Sequence, residues 1–320
     1  MLDFLLLFAG FILLIYGANL LVDSASSLAK RLNIPGIVIG LTIVAFGTSA
    51  PELVVNLFAS VQHNSEIVLG NVIGSNIFNV LVILGISSLF YPIGVKTNTT
   101  WIEIPLSFLA ALVVLMSASD IFFNHDTVNQ ITRTEGLTYL LFFIIFLVYN
   151  SQMMKTGHYE ENVSVKNYSL LKSVLLIITG LAMLVIGGKL IVNNAIDIAR
   201  LMGMSERIIS ITVVSIGTSL PELATSVIAA RKRNVDIAIG NIVGSNIFNI
   251  FLILGLSAAV SPVTVPAGSF TDMTVNLLAG LLLFVFIFTG KGRKIERWEG
   301  SLFLLLYVIY IVFIILYPVH

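Results

Sequence analysis

Ten stretches of this 320-residue chain stay apolar over a length that can cross ~30 Å of hydrocarbon. They fall at 3–22, 36–60, 67–90, 101–119, 136–153, 170–195, 206–230, 236–260, 271–289 and 298–317. A backbone crossing lipid finds no water for its N–H and C=O groups, so each run is predicted to be an α-helix. Charged residues are only 11% of the chain, against roughly 25% in a soluble domain, and hydrophobic residues are 57%. The expectation is an all-α, multi-pass protein of the cell membrane, with the lipid bilayer as its surroundings. The first run, Leu2 to Val22, has no basic leader and no small-residue cleavage site. It therefore reads as a span and not as a removable signal.

The longest polar connection, Ser151–Tyr168, divides the spans into five and five. This gives a first five-helix repeat over 1–153, a cytoplasmic linker over 154–169 and a second repeat over 170–320. Basic residues set the orientation. With the N-terminus outside, the inner loops hold Lys30, Arg31, Lys96, Lys155, Lys166, Lys172, Arg231, Lys232, Arg233, Lys291, Arg293, Lys294 and Arg297, which is 13 of the 17 Lys and Arg. The outer side holds Arg133, Arg200 and Arg207, and Lys189 lies within a span. Positive residues collect on the cytoplasmic side, so both termini are predicted outside.

Several function classes drop out. Zero net charge argues against a nucleic-acid partner. The absence of cysteine removes thiol catalysis, disulfides and thiolate metal sites. His63, His125, His158 and His320 lie in separate loops or at the terminus, without metal-ligand spacing. No HExxH or GxSxG occurs, so an enzyme is not expected, and no cofactor. A monomer is the simplest assembly.

The two halves are related. One carries GTSAPEL (Gly47–Leu53) and GNVIGSNIFN (Gly70–Asn79); the other carries GTSLPEL (Gly217–Leu223) and GNIVGSNIFN (Gly240–Asn249). Every pair is offset by 170 positions, as in 222 − 52 and 249 − 79, and the register holds without a gap from Gly17/Gly187 to Val95/Val265. Five is odd, so the second copy must enter the membrane in the opposite sense to the first. Inverted repeats of this kind place a transported substrate at the midplane, between the copies.

The repeated segments carry the chemistry. Glu52 and Glu222 sit mid-span, where an ionised carboxylate is costly unless it meets a cation, a proton or a cavity. A hydrogen bond to a neighbouring helix is the plainer alternative, but it does not require matched glutamates in two copies. Pro51 and Pro221 cannot donate to the carbonyls of Gly47 and Gly217, so each helix is expected to be weakened or broken there, with free carbonyl oxygens and a negative helix end facing the same point. Helical spacing places Ala45, Thr48, Ser49 and Glu52 on one stripe, and Ser215, Thr218, Ser219 and Glu222 on its counterpart. Asn71, Ser75 and Asn79, four apart, share a face, as do Asn241, Ser245 and Asn249. Serine and asparagine also serve as interhelical glue, and that reading is stronger for Asn71 and Asn241. The inventory is oxygen only. It suits Ca²⁺ or Na⁺ and not Zn²⁺, Cu⁺ or Fe²⁺. Two negative charges balance one Ca²⁺, two Na⁺ or two protons. Competition for the same carboxylates is a basis for antiport. Asp23 and Lys189 are assigned no role in ion binding, and the basic clusters at 231–233 and 291–297 read as orientation signals and contacts with anionic headgroups.

At the GTSxPE and GNxxGSNIFN pairs the chain resembles the sodium/calcium exchanger family of the cation/calcium exchanger superfamily, in its compact prokaryotic form. The paired segments look like that family's α-repeats. The resemblance implies Na⁺/Ca²⁺ exchange by alternating access, with spans 2, 3, 7 and 8 as the ion-binding core and spans 1 and 6 moving against it. It implies Ca²⁺ on Glu52 and Glu222 with the carbonyls of Thr48 and Thr218. It implies Na⁺ sites sharing those glutamates with Ser49, Ser219, Ser75, Ser245, Asn79 and the carbonyls of Ala45 and Ser215. Some relatives, notably potassium-dependent ones, carry Asp where this chain has Asn249, so the negative charge rests on two glutamates. H⁺/Ca²⁺ exchange on the same glutamates is the alternative, although proton-coupled relatives usually carry a different signature. A cation channel is a more distant one.

Overall fold

The computed structural model describes residues 2–123, 128–157, 165–201, 215–266, 268–290 and 292–316. Among these residues eight helices are long and apolar enough to cross a membrane, and a ninth crossing is a bent pair. In chain order they are α1 (Leu2–Leu32), the bent pair α2 (Gly36–Thr48) and α3 (Ala50–Val61), α4 (Ser65–Phe90), α5 (Thr99–Ser117), α6 (Arg133–Thr156), α7 (Leu170–Leu201), α8 (Ser215–Thr218), α9 (Leu220–Arg231), α10 (Val235–Val260), α11 (Ser269–Phe286) and α12 (Arg297–Leu316). The expected span at 206–230 is represented by α8 and α9; its first part lies outside the described residues. The protein is a multi-pass membrane protein.

Local sequence explains where the helices begin. Asn64 and Asn234, 170 apart, cap α4 and α10 by accepting from the Ile67 and Ile237 amides at 3.1 and 3.4 Å. Thr132 and Glu135 form a reciprocal capping box at the start of α6. Helices α4 and α10 are the most buried spans, so they form the centre of the protein. They run antiparallel: Ser65 Oγ at the start of α4 accepts from the Thr264 amide beyond the end of α10 (3.0 Å), and the Arg231 guanidinium before α10 lies 5.8 Å from the Phe90 ring at the end of α4.

Two short strand pairs, which the apolar pattern does not predict, tie the ends. β1 (Ile93–Gly94) pairs with β4 (Lys294–Ile295), and β2 (Gln130–Ile131) with β3 (Val263–Thr264), both antiparallel. β1 and β3 are repeat equivalents, each following a central helix, and they lie at opposite ends of the bundle. Cations collect at the β1 end: Lys96 bonds Asp236 at 2.8 Å, Arg293 Nη1 donates to Thr97 Oγ1 at 2.7 Å, and Arg233 lies 5.6 Å from the Tyr91 ring.

The first span is longer than its apolar run. α1 continues to Leu32, which takes Asp23 inside the helix and not to its end. Asp23 accepts from Lys232 at 2.6 Å and Lys166 at 2.8 Å, joining α1 to the linker and to the turn before α10, a structural role. These partners lie too far along the chain for local spacing to reveal them.

α1 and α7 lie against each other along glycines. A Cβ at Gly10 would come within 2.9 Å of the Gly187 carbonyl, and one at Gly187 within 2.8 Å of the Gly10 carbonyl. Gly17 and Gly180 repeat the arrangement at 2.8 and 2.9 Å. Lipid gives no hydrophobic drive for helix association, so close backbone approach must supply the attraction. Gly188 is different, because its Cβ would meet Pro221 only at an ordinary 3.8 Å. Neighbouring substitutions should therefore separate. Gly187→Ala forces two backbones apart and should cost about 1–3 kcal/mol, whereas Gly188→Ala should be neutral or slightly stabilising. Thermal unfolding of the purified protein in detergent distinguishes the two variants.

Candidate functional site

The bent pair places the first glutamate. Ser49 adopts φ −82° and ψ 6° between α2 and α3, and the two helices meet at 48°. Ser219 has nearly the same conformation, φ −88° and ψ 8°, between α8 and α9. Each helix is broken as expected, but the break falls at the serine and not at the proline. Pro51 and Pro221 stand in the first turns of α3 and α9, where a missing N–H removes no helical bond. The chain stops one helix at Ser49 and begins another. Glu52 and Glu222 consequently lie in first turns, at the positive ends of α3 and α9, while the carbonyl end of α2 faces the Ser49 junction. The site thus has both signs of helix dipole, not the negative end alone.

Hydrogen bonds then join the two copies reciprocally. Ser49 Oγ lies 2.9 Å from Glu222 Oε1 and 3.0 Å from Ser245 Oγ. Ser219 Oγ lies 3.2 Å from Glu52 Oε1 and 3.1 Å from Ser75 Oγ. A hydroxyl has one proton, so with Ser49 donating to Glu222, Ser245 must donate to Ser49; the other copy follows the same logic. Thr48 Oγ1 reaches Asn241 Oδ1 at 3.0 Å, and Thr218 Oγ1 reaches Asn71 Oδ1 at 3.2 Å. Each of these bonds crosses from one copy to the other and has a partner 170 positions away. That self-complementarity is the mark of a local two-fold relation.

The same contacts leave four acceptors without a protein donor. Glu52 Oε2, Glu222 Oε2, Asn79 Oδ1 and Asn249 Oδ1 are all buried and unpartnered. Their residues are each 1% exposed. Leaving a buried acceptor unpaired costs about 1–3 kcal/mol, and more when it is charged. All four are oxygen atoms, as a hard cation requires. Among the described residues no group of three or more His, Cys, Asp or Glu comes together. The negative charge is therefore confined to the two glutamates, and the remaining donors are neutral.

The structure brings most of the predicted residues together. Ala45, Thr48, Ser49, Glu52, Ser75, Asn79, Ser219, Glu222, Ser245 and Asn249 are buried, and Thr218 is half-buried. The carbonyl of Ala45 accepts the Ser49 amide at 3.0 Å, so one of its lone pairs is used. The copies differ here: the Ser219 amide goes to Ile216 at 3.2 Å, and Ser215 is described only as the first residue of α8. Asn71 and Asn241 serve as glue. Asn71 Nδ2 donates to Asn56 Oδ1 at 2.6 Å, and Asn241 Nδ2 donates to Ser226 Oγ at 2.9 Å.

Helical spacing missed one pair. Asn76 and Asn246 sit between the central helices and bond to Asn249 and Asn79 of the opposite copies, each at 2.9 Å. Their signal was present in the sequence, since both stand in the repeated GSNIFN segment, but off the stripe taken for the site. Both central helices also widen into π-helical turns here, at Asn79–Leu84 and Phe248–Leu254, a distortion frequent at functional sites.

Gly240 and Gly244 on α10 are buried under α2, where a Cβ would come within 3.0 Å of Gly40 Cα and 2.8 Å of Ala45 Cβ.

Known proteins share this architecture. The model of the sodium/calcium exchanger protein family matches residues 2–152 and 172–316. The putative antiporter CaxA of Alkalimonas amylolytica is 37% identical over 310 residues, covering 94% of this chain and 95% of the relative. The sodium/calcium exchanger MaX1 of Methanosarcina acetivorans is 36% identical over 350 aligned positions, covering 97% of each. Among solved structures, the sodium-calcium exchanger NCX_Mj soaked with 2.5 mM Na⁺ and 0.1 mM Ca²⁺ superposes with a TM-score of 0.83 at 34% identity, covering 98% of both chains. The chain belongs to the sodium/calcium exchanger protein family.

Proposed function

We propose that this protein exchanges Na⁺ for Ca²⁺ across the cell membrane, using Glu52 and Glu222 as the charged ligands of one shared site. The observation that carries this reading is the set of four buried oxygens without protein donors, on Glu52, Glu222, Asn79 and Asn249. Two carboxylates neutralise one Ca²⁺ or two Na⁺. A site that keeps both charges in the membrane is costly to move without an ion, so return of the carrier requires the counter-ion. Ser49, Ser219, Ser75 and Ser245 would supply further neutral oxygens, and the carbonyls of Ala45, Thr48, Ser215 and Thr218 complete the proposed set. The exchanger function named for the related MaX1 and NCX_Mj agrees with this assignment.

The architecture proposed for this work is ten spans in two inverted five-helix repeats, 1–153 and 170–320, joined by the 154–169 linker, with both termini outside. Support comes from the antiparallel central helices, the β1 and β3 equivalents at opposite ends and the reciprocal hydrogen bonds.

Two experiments test the proposal. In proteoliposomes loaded with Na⁺, Ca²⁺ uptake should follow the imposed Na⁺ gradient and disappear when choline replaces Na⁺; uptake driven by a pH gradient without Na⁺ would establish proton exchange instead. Glu52→Gln and Glu222→Gln keep shape and hydrogen bonding but remove one charge each. Each should reduce Ca²⁺ uptake at least about tenfold, the scale of losing a contact to a charged group, with the protein still folded by thermal unfolding. Normal Ca²⁺ affinity in either variant contradicts the site.

A further inference from the structure

We propose that Asn76 is a positioning residue: it fixes the amide of Asn249 so that its oxygen, and not its nitrogen, faces the ion site. This rests on the site proposed above and assigns a role to a residue outside it.

The argument follows the hydrogen bonds from an atom whose role is fixed. The Asn246 backbone carbonyl can only accept. Asn76 approaches it at 3.3 Å and must therefore turn Nδ2 towards it. That leaves Asn76 Oδ1 on its other side, and an oxygen there can only accept. Asn249 lies 2.9 Å from this oxygen and must present Nδ2. With its nitrogen committed, Asn249 has only Oδ1 left for the opposite direction. That oxygen is buried and has no protein donor. The relay from backbone carbonyl to Asn76 to Asn249 thus determines the amide orientation at every step. An amide turned the other way would aim a partly positive NH₂ at a cation.

The other copy is more loosely held. Asn79 Nδ2 donates to Asn246 Oδ1 at 2.9 Å, but the described bonds of Asn246 include no backbone acceptor that fixes its own amide. Asn76 thus carries the stronger constraint, and Asn249 is the ligand that depends on it.

A carboxylate needs no such orientation, because both of its atoms are oxygen. Asn249→Asp should therefore make Asn76 dispensable. It should even reverse the effect, because Asn76 Oδ1 would then face an oxygen at hydrogen-bond distance. The test is Ca²⁺ uptake in proteoliposomes with four proteins: wild type, Asn76→Ala, Asn249→Asp and the double variant. Asn76→Ala alone should raise the Ca²⁺ concentration for half-maximal uptake about tenfold, as expected for a lost contact to a charged group. In the Asn249→Asp background the same change should have no effect or lower that concentration. Equal losses in both backgrounds would mean that Asn76 only supports packing and would overturn the proposal, as would wild-type affinity in Asn76→Ala. Asn76→Leu, which fills the space without an amide, replaces the alanine variant should a cavity unfold it. The two glutamine variants described above serve as the reference: if they keep normal Ca²⁺ affinity, the site itself is wrong; if they lose it while Asn76→Ala does not, only the positioning role falls.

Discussion

Two carboxylates held inside a membrane protein set the terms for everything around them. Glu52 and Glu222 are each 1% exposed, and lipid offers no solvation for their charge. The protein can hold them only by surrounding them with oriented donors and by placing them at positive helix ends. It does both with the same device. Breaking the helix at Ser49 and Ser219 creates a new N-terminus for each glutamate and frees each serine hydroxyl to reach the opposite copy. Because the bonds are reciprocal, neither half can build its side of the site alone. The duplication is therefore a requirement of the chemistry.

The remaining packing protects that centre. α4 and α10 are the most buried spans and carry Ser75, Asn79, Ser245 and Asn249, all buried. α1 and α7 pack against each other where Gly10, Gly17, Gly180 and Gly187 let the two backbones approach closely. At the end rich in cations, Asp23 ties α1 to Lys232 and to Lys166 of the linker. The positions equivalent to Asp23 and Lys232 in the other half are Asn193 and Gln62, so the pairing has no charged counterpart there.

Much of this was legible in the sequence because it depends on constraints that act locally or repeat. Apolar length marked the spans, and the 170-residue offset joined Glu52 to Glu222 before any coordinates. The elements that were misread depend on geometry that spacing does not encode. Proline marks the break but not its place: Pro51 stands in the first turn of α3, and the chain turns at Ser49. The salt bridges of Asp23 could not be read from spacing, because its partners lie about 140 and 210 positions away along the chain. The strand pairs of two residues each are too short to carry a period. Asn76 and Asn246 stand off the helical stripe that carries Ser75, Asn79, Ser245 and Asn249, and their bonds to the opposite copy are not visible in spacing. The plainer reading did hold for Asn71 and Asn241, whose nitrogens are used within their own halves.

The central claim is that one cation occupies the space shared by the four unpartnered oxygens. Crystals soaked in Ca²⁺, or in Sr²⁺ for its anomalous signal, measure this directly. The account predicts a single strong peak between Glu52 and Glu222, within ligand distance of about 2.3–2.6 Å for Ca²⁺, lost when Ca²⁺ is replaced by excess Na⁺. A peak elsewhere, or density at this position that does not change with the ion supplied, would contradict it.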